Sequence, residues 1–256
     1  MSRTNPRSSM PNPAKRFIKW NGEKGEFSYY DKENKKDVIV PLPISFLVLD
    51  ELATVTGFNP RTKSNIYSNE VHNTNDEPLN VRCFGGKGGK GYVLAKGFYT
   101  DIKPTLLSQV KDVRYTKSVY AIMRNVEKEF ELINFHFHGS TLNAWIKKDF
   151  DPLKCAIIIK TYLEAKTGSI TYRYPKFEQL GVTKETEELA LRFDKDLQDY
   201  LREYKKAQVV TVEADETPPG TVTEEEPETT RDEPEGDVTE TIYNQGTPGT
   251  EDDLPF

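Results

Sequence analysis

The last 50 residues of this chain lack the apolar content to fold, and that confines any fold to what precedes them. Residues 207–256 hold 15 acids, one base (Arg231) and two aromatics (Tyr243 and Phe256). High like charge and sparse apolar content leave too little burial to offset chain entropy, so this segment is expected to be a disordered acidic tail. Residues 1–206 hold the other 26 aromatics, with 34 bases against 26 acids, a net of +8 against the tail's −14. A basic, aromatic body points to an anionic ligand. The tail's opposite charge lets it lie on that body when the ligand is absent. Residues 1–14 read as a disordered basic arm. Arg3, Arg7, Lys15 and Arg16 all precede the first acid, Glu23.

Several classes drop out early. Cys83 and Cys155 form no CxxC pair, which leaves a zinc site unsupported, and two distant thiols fit a reducing compartment. The N-terminus has no apolar core of a signal peptide, and no stretch approaches the ~20 apolar residues of a membrane helix. The expected location is the cytoplasm.

The body, residues 15–206, reads as mainly β. Phe17–Trp20, Gly25–Tyr30 and Val38–Val40 are short strands, with a turn at Lys32–Lys36. Ile44–Leu49 fits strand or helix, and Thr54-Val55-Thr56 before Gly57 favours a strand running into a turn. Asn65–Val71 and Leu79–Phe84 follow as strands. In the second, Leu79, Val81 and Cys83 make an apolar face, and Asn80, Arg82 and Phe84 face the other way. Tyr92–Tyr99 is a further strand. Asp101–Gln109 is a short helix with Asp101 as its N-cap. Val113–Arg124 and Leu132–His138 are strands, the latter with Ile133, Phe135 and Phe137 on one face and an exposed polar face of Asn134, His136 and His138. Two histidines at this spacing lack a placed third metal ligand. Ser140 or Thr141 opens a helix over Leu142–Lys148. Cys155–Glu164 and Ser169–Tyr174 form a hairpin about Ala165-Lys166-Thr167-Gly168. Thr183 caps a long helix over 184–206 whose stripe of Leu189, Phe193, Leu197, Tyr200, Leu201 and Tyr204 is core packing. No internal repeat is present.

Gly86, Gly88 and Gly91 match GxGxxG formally. A β-rich segment follows where a dinucleotide site needs a helix, so no such site is implied. The run Gly85–Gly91 reads instead as a flexible loop presenting Lys87 and Lys90, whose glycines let backbone amides approach phosphate. Base stacking on aromatic rings beside phosphate-tracking cations is the chemistry these residue types suit. The expected groove carries Arg82 and Phe84 with Lys87 and Lys90, then Tyr92, Tyr99, Tyr115, Lys117, Tyr120, Tyr172, Arg173 and Tyr174.

The terminal hexapeptide Glu251-Asp252-Asp253-Leu254-Pro255-Phe256 places three acids before an apolar hook. Its ring can enter a partner's pocket while the acids meet Lys or Arg at the rim. Pro255 lowers the ordering cost. This tip resembles the C-terminal tip of bacterial single-stranded DNA-binding proteins, where several acids precede Ile-Pro-Phe; here Leu254 stands in place of Ile. The resemblance covers six residues and the acidic character before them. It implies a five-stranded oligonucleotide-binding (OB-fold-like) β-barrel, ssDNA binding in DNA replication, recombination and repair, and recruitment of proteins from those pathways through the tip. A bacteriophage-encoded protein acting in the infected host fits best. An oligomer is compatible. No cofactor or catalysis is implied, since no Ser-His-Asp or Cys-His triad assembles by spacing. Three alternatives stay open: single-strand annealing, a protein-only adaptor, and a nuclease. The last rests on Asp151 with Glu164-x-Lys166, distantly similar to the restriction-type arrangement that holds Mg²⁺ and activates water.

Overall fold

The computed structural model describes residues 11–84, 91–125 and 127–215, the last nine as backbone only. The protein is mainly β with a C-terminal helix. β1 (Arg16–Asn21), β2 (Glu26–Asp31) and β3 (Lys36–Val40) form an antiparallel meander. The side chains of Asn21 and Asp31 fix its turns by accepting the backbone N–H groups of Glu23 and Lys24, and of Glu33 and Asn34. The long strand β4 (Ile44–Asn59) pairs with β8 (Val113–Arg124), which pairs with β9 (Phe130–Phe137), and β9 joins β1 in parallel. The far end of β4 pairs with β5 (Ser64–Tyr67), followed by β6 (Leu79–Cys83) and β7 (Tyr92–Gly97). The near end of β4 pairs with β10 (Ala156–Thr167), whose hairpin partner is β11 (Ile170–Leu180). The result is an open eleven-stranded sheet with the path β3-β2-β1-β9-β8-β4-β5-β6-β7. Helices α1 (Tyr99–Gln109), α2 (Gly139–Ile146) and α3 (Lys184–Asp215) complete it.

The ambiguous run at Ile44 is strand, and Gly57 continues it. A Cβ at Gly57 would collide with the Asp112 carbonyl oxygen, so glycine permits the close approach of β8's leading turn. A bulge between Val48 and Asp50 switches which residues of β4 face inward. Ile44, Phe46 and Val48 enter a first core with Ile18, Trp20, Phe27, Val119, Phe135, Phe137, Trp145 and Ile157. Beyond the bulge, Ala53 and Val55 enter a second core with Ile66, Val81, Cys83, Tyr99, Ile102 and Leu106. Both cores lie on the sheet's inner face. On the outer face α3 lays Leu197, Tyr200 and Leu201 over Leu52, Tyr120 and Leu132.

Several expectations are corrected. β5 stops at Tyr67, four residues before Val71: the Ser68 hydroxyl takes the Val55 N–H at 2.8 Å in place of a backbone carbonyl, and the chain pairs with β4 again at the Ala53–Val71 bridge. Tyr99 opens α1 instead of closing β7. The N-cap of α1 is Phe98, with Asp101 in the first turn, where its charge suits the helix dipole. Lys166 lies in β10 opposite Thr171 rather than in the turn. α2 starts at Gly139 with His138 as N-cap. α3 has its cap as expected, the Thr183 hydroxyl accepting the Thr186 N–H at 3.3 Å. It runs on to Asp215, so the stretch from Ala207 to Asp215 is helix where tail was expected.

The polar face of β9 is covered. Asn134 is fully buried where α3 and the segment after β5 cover its neighbours Tyr120 and Leu132, and His136 is nearly so, with the Phe17 ring against it. Glu70 of that segment accepts hydrogen bonds from the Ser118 hydroxyl and, at 2.7 Å, from Tyr120. The Asn134 amide donates to Ser118 at 2.7 Å, and Asn12 to the Tyr120 oxygen at 3.0 Å. Burial raises the Glu70 carboxyl above its ordinary value of 4.5, against hydrogen bonds that lower it. A carboxyl raised on folding stabilises the fold while protonated, and that contribution is lost as pH rises through the folded value. The stability of Glu70→Gln relative to wild type is therefore expected to improve as pH climbs from 4.5 to neutrality. Paired urea titrations check this, and a pH-independent difference would refute it.

Candidate nucleic-acid interface

Strand alternation and register assemble the exposed part of the outer face. Thr56 of β4 pairs with Arg114 of β8 on one side and Tyr67 of β5 on the other. Tyr67 pairs with Arg82 of β6, and Arg82 with Val93 of β7. Paired residues point to the same face, so Arg114, Tyr67, Arg82 and Val93 lie in one row across five strands. The next row holds Phe58 paired with Asn65, whose carbonyl accepts the Phe84 N–H at 3.1 Å. Phe58 is 41% exposed, Tyr67 40% and Phe84 53%. The Tyr67 and Phe84 rings meet edge to face with centroids 5.8 Å apart. Arg114 pairs with Asp112 at 2.5 Å and stays half exposed.

The face continues toward β1. Lys19 is in register with His136, and the Phe17 ring meets His136 edge on at 5.5 Å. Burial drives His136 down to about 3. His138 is held at about 4 by burial and then by the charges of Arg114 and Lys19, against Asp112. Both rings are neutral through the physiological range.

The twelve body candidates divide. Arg82 and Phe84 stand together as expected, among the aromatics just described. Tyr92 is opposite Cys83, on the inner face, and its hydroxyl accepts the Asn59 amide at 3.3 Å. It cannot share a strand of nucleotides with Phe84 across the sheet. Tyr99 is 8% exposed, buried in the second core with its ring 5.0 Å from that of Tyr115. Tyr115 and Lys117 alternate onto the inner face, Tyr115 between the two cores and Lys117 opposite Phe137. Tyr120 is 0% exposed beneath α3 and bonded to Glu70, which rules out base stacking. Tyr172 and Tyr174 face outward on the β10–β11 ribbon with ring centroids 6.3 Å apart. Arg173 points the other way. Its Nε meets Glu164 at 2.7 Å, its guanidinium donates to the Glu23 carbonyl, and its carbonyl accepts the Trp20 indole at 2.8 Å. It ties the ribbon to the β1–β2 turn and is occupied there. Lys87, Lys90 and Glu251–Phe256 lie outside the described residues.

Sequence reasoning missed Phe17, Lys19, Phe58, Tyr67 and Arg114. Tyr67 had a signal, since inward Ile66 sends its neighbour outward. Phe58 was hidden by reading Gly57 as a turn.

Two of the three residues of the nuclease alternative are held in ion pairs. Asp151 pairs with Lys154 at 3.1 Å, and Glu164 with Arg173. Among the described residues no group of three or more His, Cys, Asp or Glu is placed to hold a metal, and no helix is long and apolar enough to cross a membrane. The outer face offers rings and cations, residue types that suit stacking and phosphate contact. No protein-family model matches the chain, and no curated protein or solved structure matches it either.

Proposed function

We propose that this protein binds single-stranded DNA on the outer face around Tyr67, Arg82, Phe84, Phe58 and Arg114. The observation that carries the reading is the exposed Tyr67–Phe84 ring pair beside Arg82 on adjacent strands. Stacked bases contribute ~1–3 kcal/mol each, and cations neutralise phosphates in a salt-dependent way. Tyr172 and Tyr174 on the ribbon offer a further stacking surface. The proposal includes a barrel of the oligonucleotide-binding type. It is supported by the apolar faces of β1, β2, β4, β8, β9 and β10 sharing one core, and by the Arg173 N–H donating to the Gly22 carbonyl at 2.8 Å, which brings β11 back to the β1–β2 turn. The acidic tail ends in a tip that recruits replication, recombination or repair proteins in the cytoplasm of a bacterial or phage-infected cell.

Fluorescence titration with poly-dT at two salt concentrations tests the binding, on full-length and tail-less protein. Three phosphate contacts, from Lys19, Arg82 and Arg114, predict a log–log salt slope of about −2. No signal change in either form would overturn the reading. Deleting Glu251–Phe256 is expected to preserve or tighten ssDNA binding and to abolish retrieval of replication or repair proteins. Undiminished retrieval by the truncated protein would remove the tip from the scheme.

A further inference from the structure

Lys19 of β1, Arg114 of β8 and His138, between β9 and α2, come together beside the aromatic rows. The β1–β9 register puts Lys19 beside His136, and His138 follows two residues later. The β8–β9 ladder pairs Ser118 with His136 and Lys117 with Phe137. Continued by one residue, it brings Thr116 next to His138, with Arg114 just beyond on the same face. The charges of Arg114 and Lys19 both reach His138. His138 is half-buried, and Gly139 after it is exposed.

We propose that Lys19, Arg114 and His138 form a phosphate-binding subsite in which the His138 ring takes up a proton as a DNA phosphodiester docks. The proposal rests on the ssDNA-binding reading and specifies how one phosphate of the strand is held. In the free protein burial, and after it the charges of Arg114 and Lys19, oppose a positive charge on the ring, so it is neutral. A phosphodiester between Lys19 and Arg114 offsets the two cations and, against the burial, gives an imidazolium N–H an ionised oxygen to donate to. The groups facing His138 are Lys19 from β1, Asp112 and Arg114 at the start of β8, and His136 from β9. The first turn of α2 contributes no charged side chain. Asp112, paired with Arg114, is the carboxylate the phosphate displaces.

A group whose pKa rises on binding makes affinity grow as pH falls, by at most tenfold per pH unit for one proton. A thymidine oligonucleotide has no group that titrates in this range, so the protein supplies the dependence. Binding of such an oligonucleotide is measured near pH 5.5 and pH 7.5 at fixed salt. The wild type is expected to bind about three- to tenfold tighter at the lower pH. His138→Gln is expected to lose most of that slope, and His72→Gln, away from the site, to keep it. In the wild type, the imidazole carbon-bound proton signal of His138 is expected to move toward the protonated position on adding the oligonucleotide near pH 5.5. This readout stands even if the variant misfolds. An unchanged slope in folded His138→Gln, or an unmoved His138 signal under saturating oligonucleotide, would overturn the subsite and leave the ssDNA reading standing. No binding at either pH overturns both.

Discussion

Replacing Tyr67 and Phe84 together by alanine is expected to weaken ssDNA binding by roughly 30- to 1000-fold, with little change in melting temperature. Each stacked base contributes ~1–3 kcal/mol, and ~1.4 kcal/mol corresponds to a factor of ten. The two rings touch each other at 5.8 Å, so they act as one platform and their losses are not simply additive. Both are about half exposed, and exposed substitutions away from special features usually move stability within about 0.5 kcal/mol. Adding Arg82→Ala is expected to reduce the salt slope by about 0.7, as one phosphate contact is lost. Oligonucleotide titration at several salt concentrations, beside thermal melts, reads both effects. Unchanged affinity in the double variant would exclude this face from the site.

The largest loss of stability is expected at Phe135. Its ring is fully buried in the first core, 4.6 Å from Phe46, 5.4 Å from Phe137 and 5.7 Å from Phe27. Four rings from β1's neighbour β2 and from β4 and β9 lock together there, so the cavity left by truncation cannot collapse without moving three strands. Phe135→Ala is expected to cost about 3–5 kcal/mol. That corresponds to roughly 6–20 °C in melting temperature for a chain of this size. Phe135→Leu keeps most of the volume and is expected to cost clearly less. Calorimetry decides it, and a melting temperature within 2 °C of wild type for the alanine variant would contradict this placement of the core.

What the chain disclosed and what it withheld follow from the range of the interactions. The alternation of Leu79, Val81 and Cys83 against Arg82 and Phe84 is a local signal, and the observed burial follows it. The stripe on α3 is equally local, and Leu197 and Leu201 are buried as its spacing requires. Tyr120 shows the limit. Alternation puts it on the face opposite Val119 and Ala121, but only a helix about 80 residues later decides that this face is covered. His136 was read as exposed because the covering Phe17 ring arrives from β1, more than 110 residues earlier. The site divides likewise: Arg82 and Phe84 lie two residues apart at the end of β6 and were legible together. Tyr67, Phe58 and Arg114 join them through strand register, which no local pattern encodes. The Glu164–Arg173 ion pair is a cross-strand contact of the hairpin, set by the β10–β11 register, which the spacing of Glu164 and Lys166 does not reveal.

The bulge in β4 has a consequence for how the molecule unfolds. One strand supplies Phe46 and Val48 to the first core, Ala53 and Val55 to the second, and Leu52 to the seat of α3. β8 runs beside it for nearly the same length. Neither core has a wall of its own on this side. Melting one strips a face from the other, so the energy released by packing is collected in a single cooperative step. Fragments cut to isolate either core would each carry a half-exposed β4 and fail to hold structure, however well the remaining side chains match.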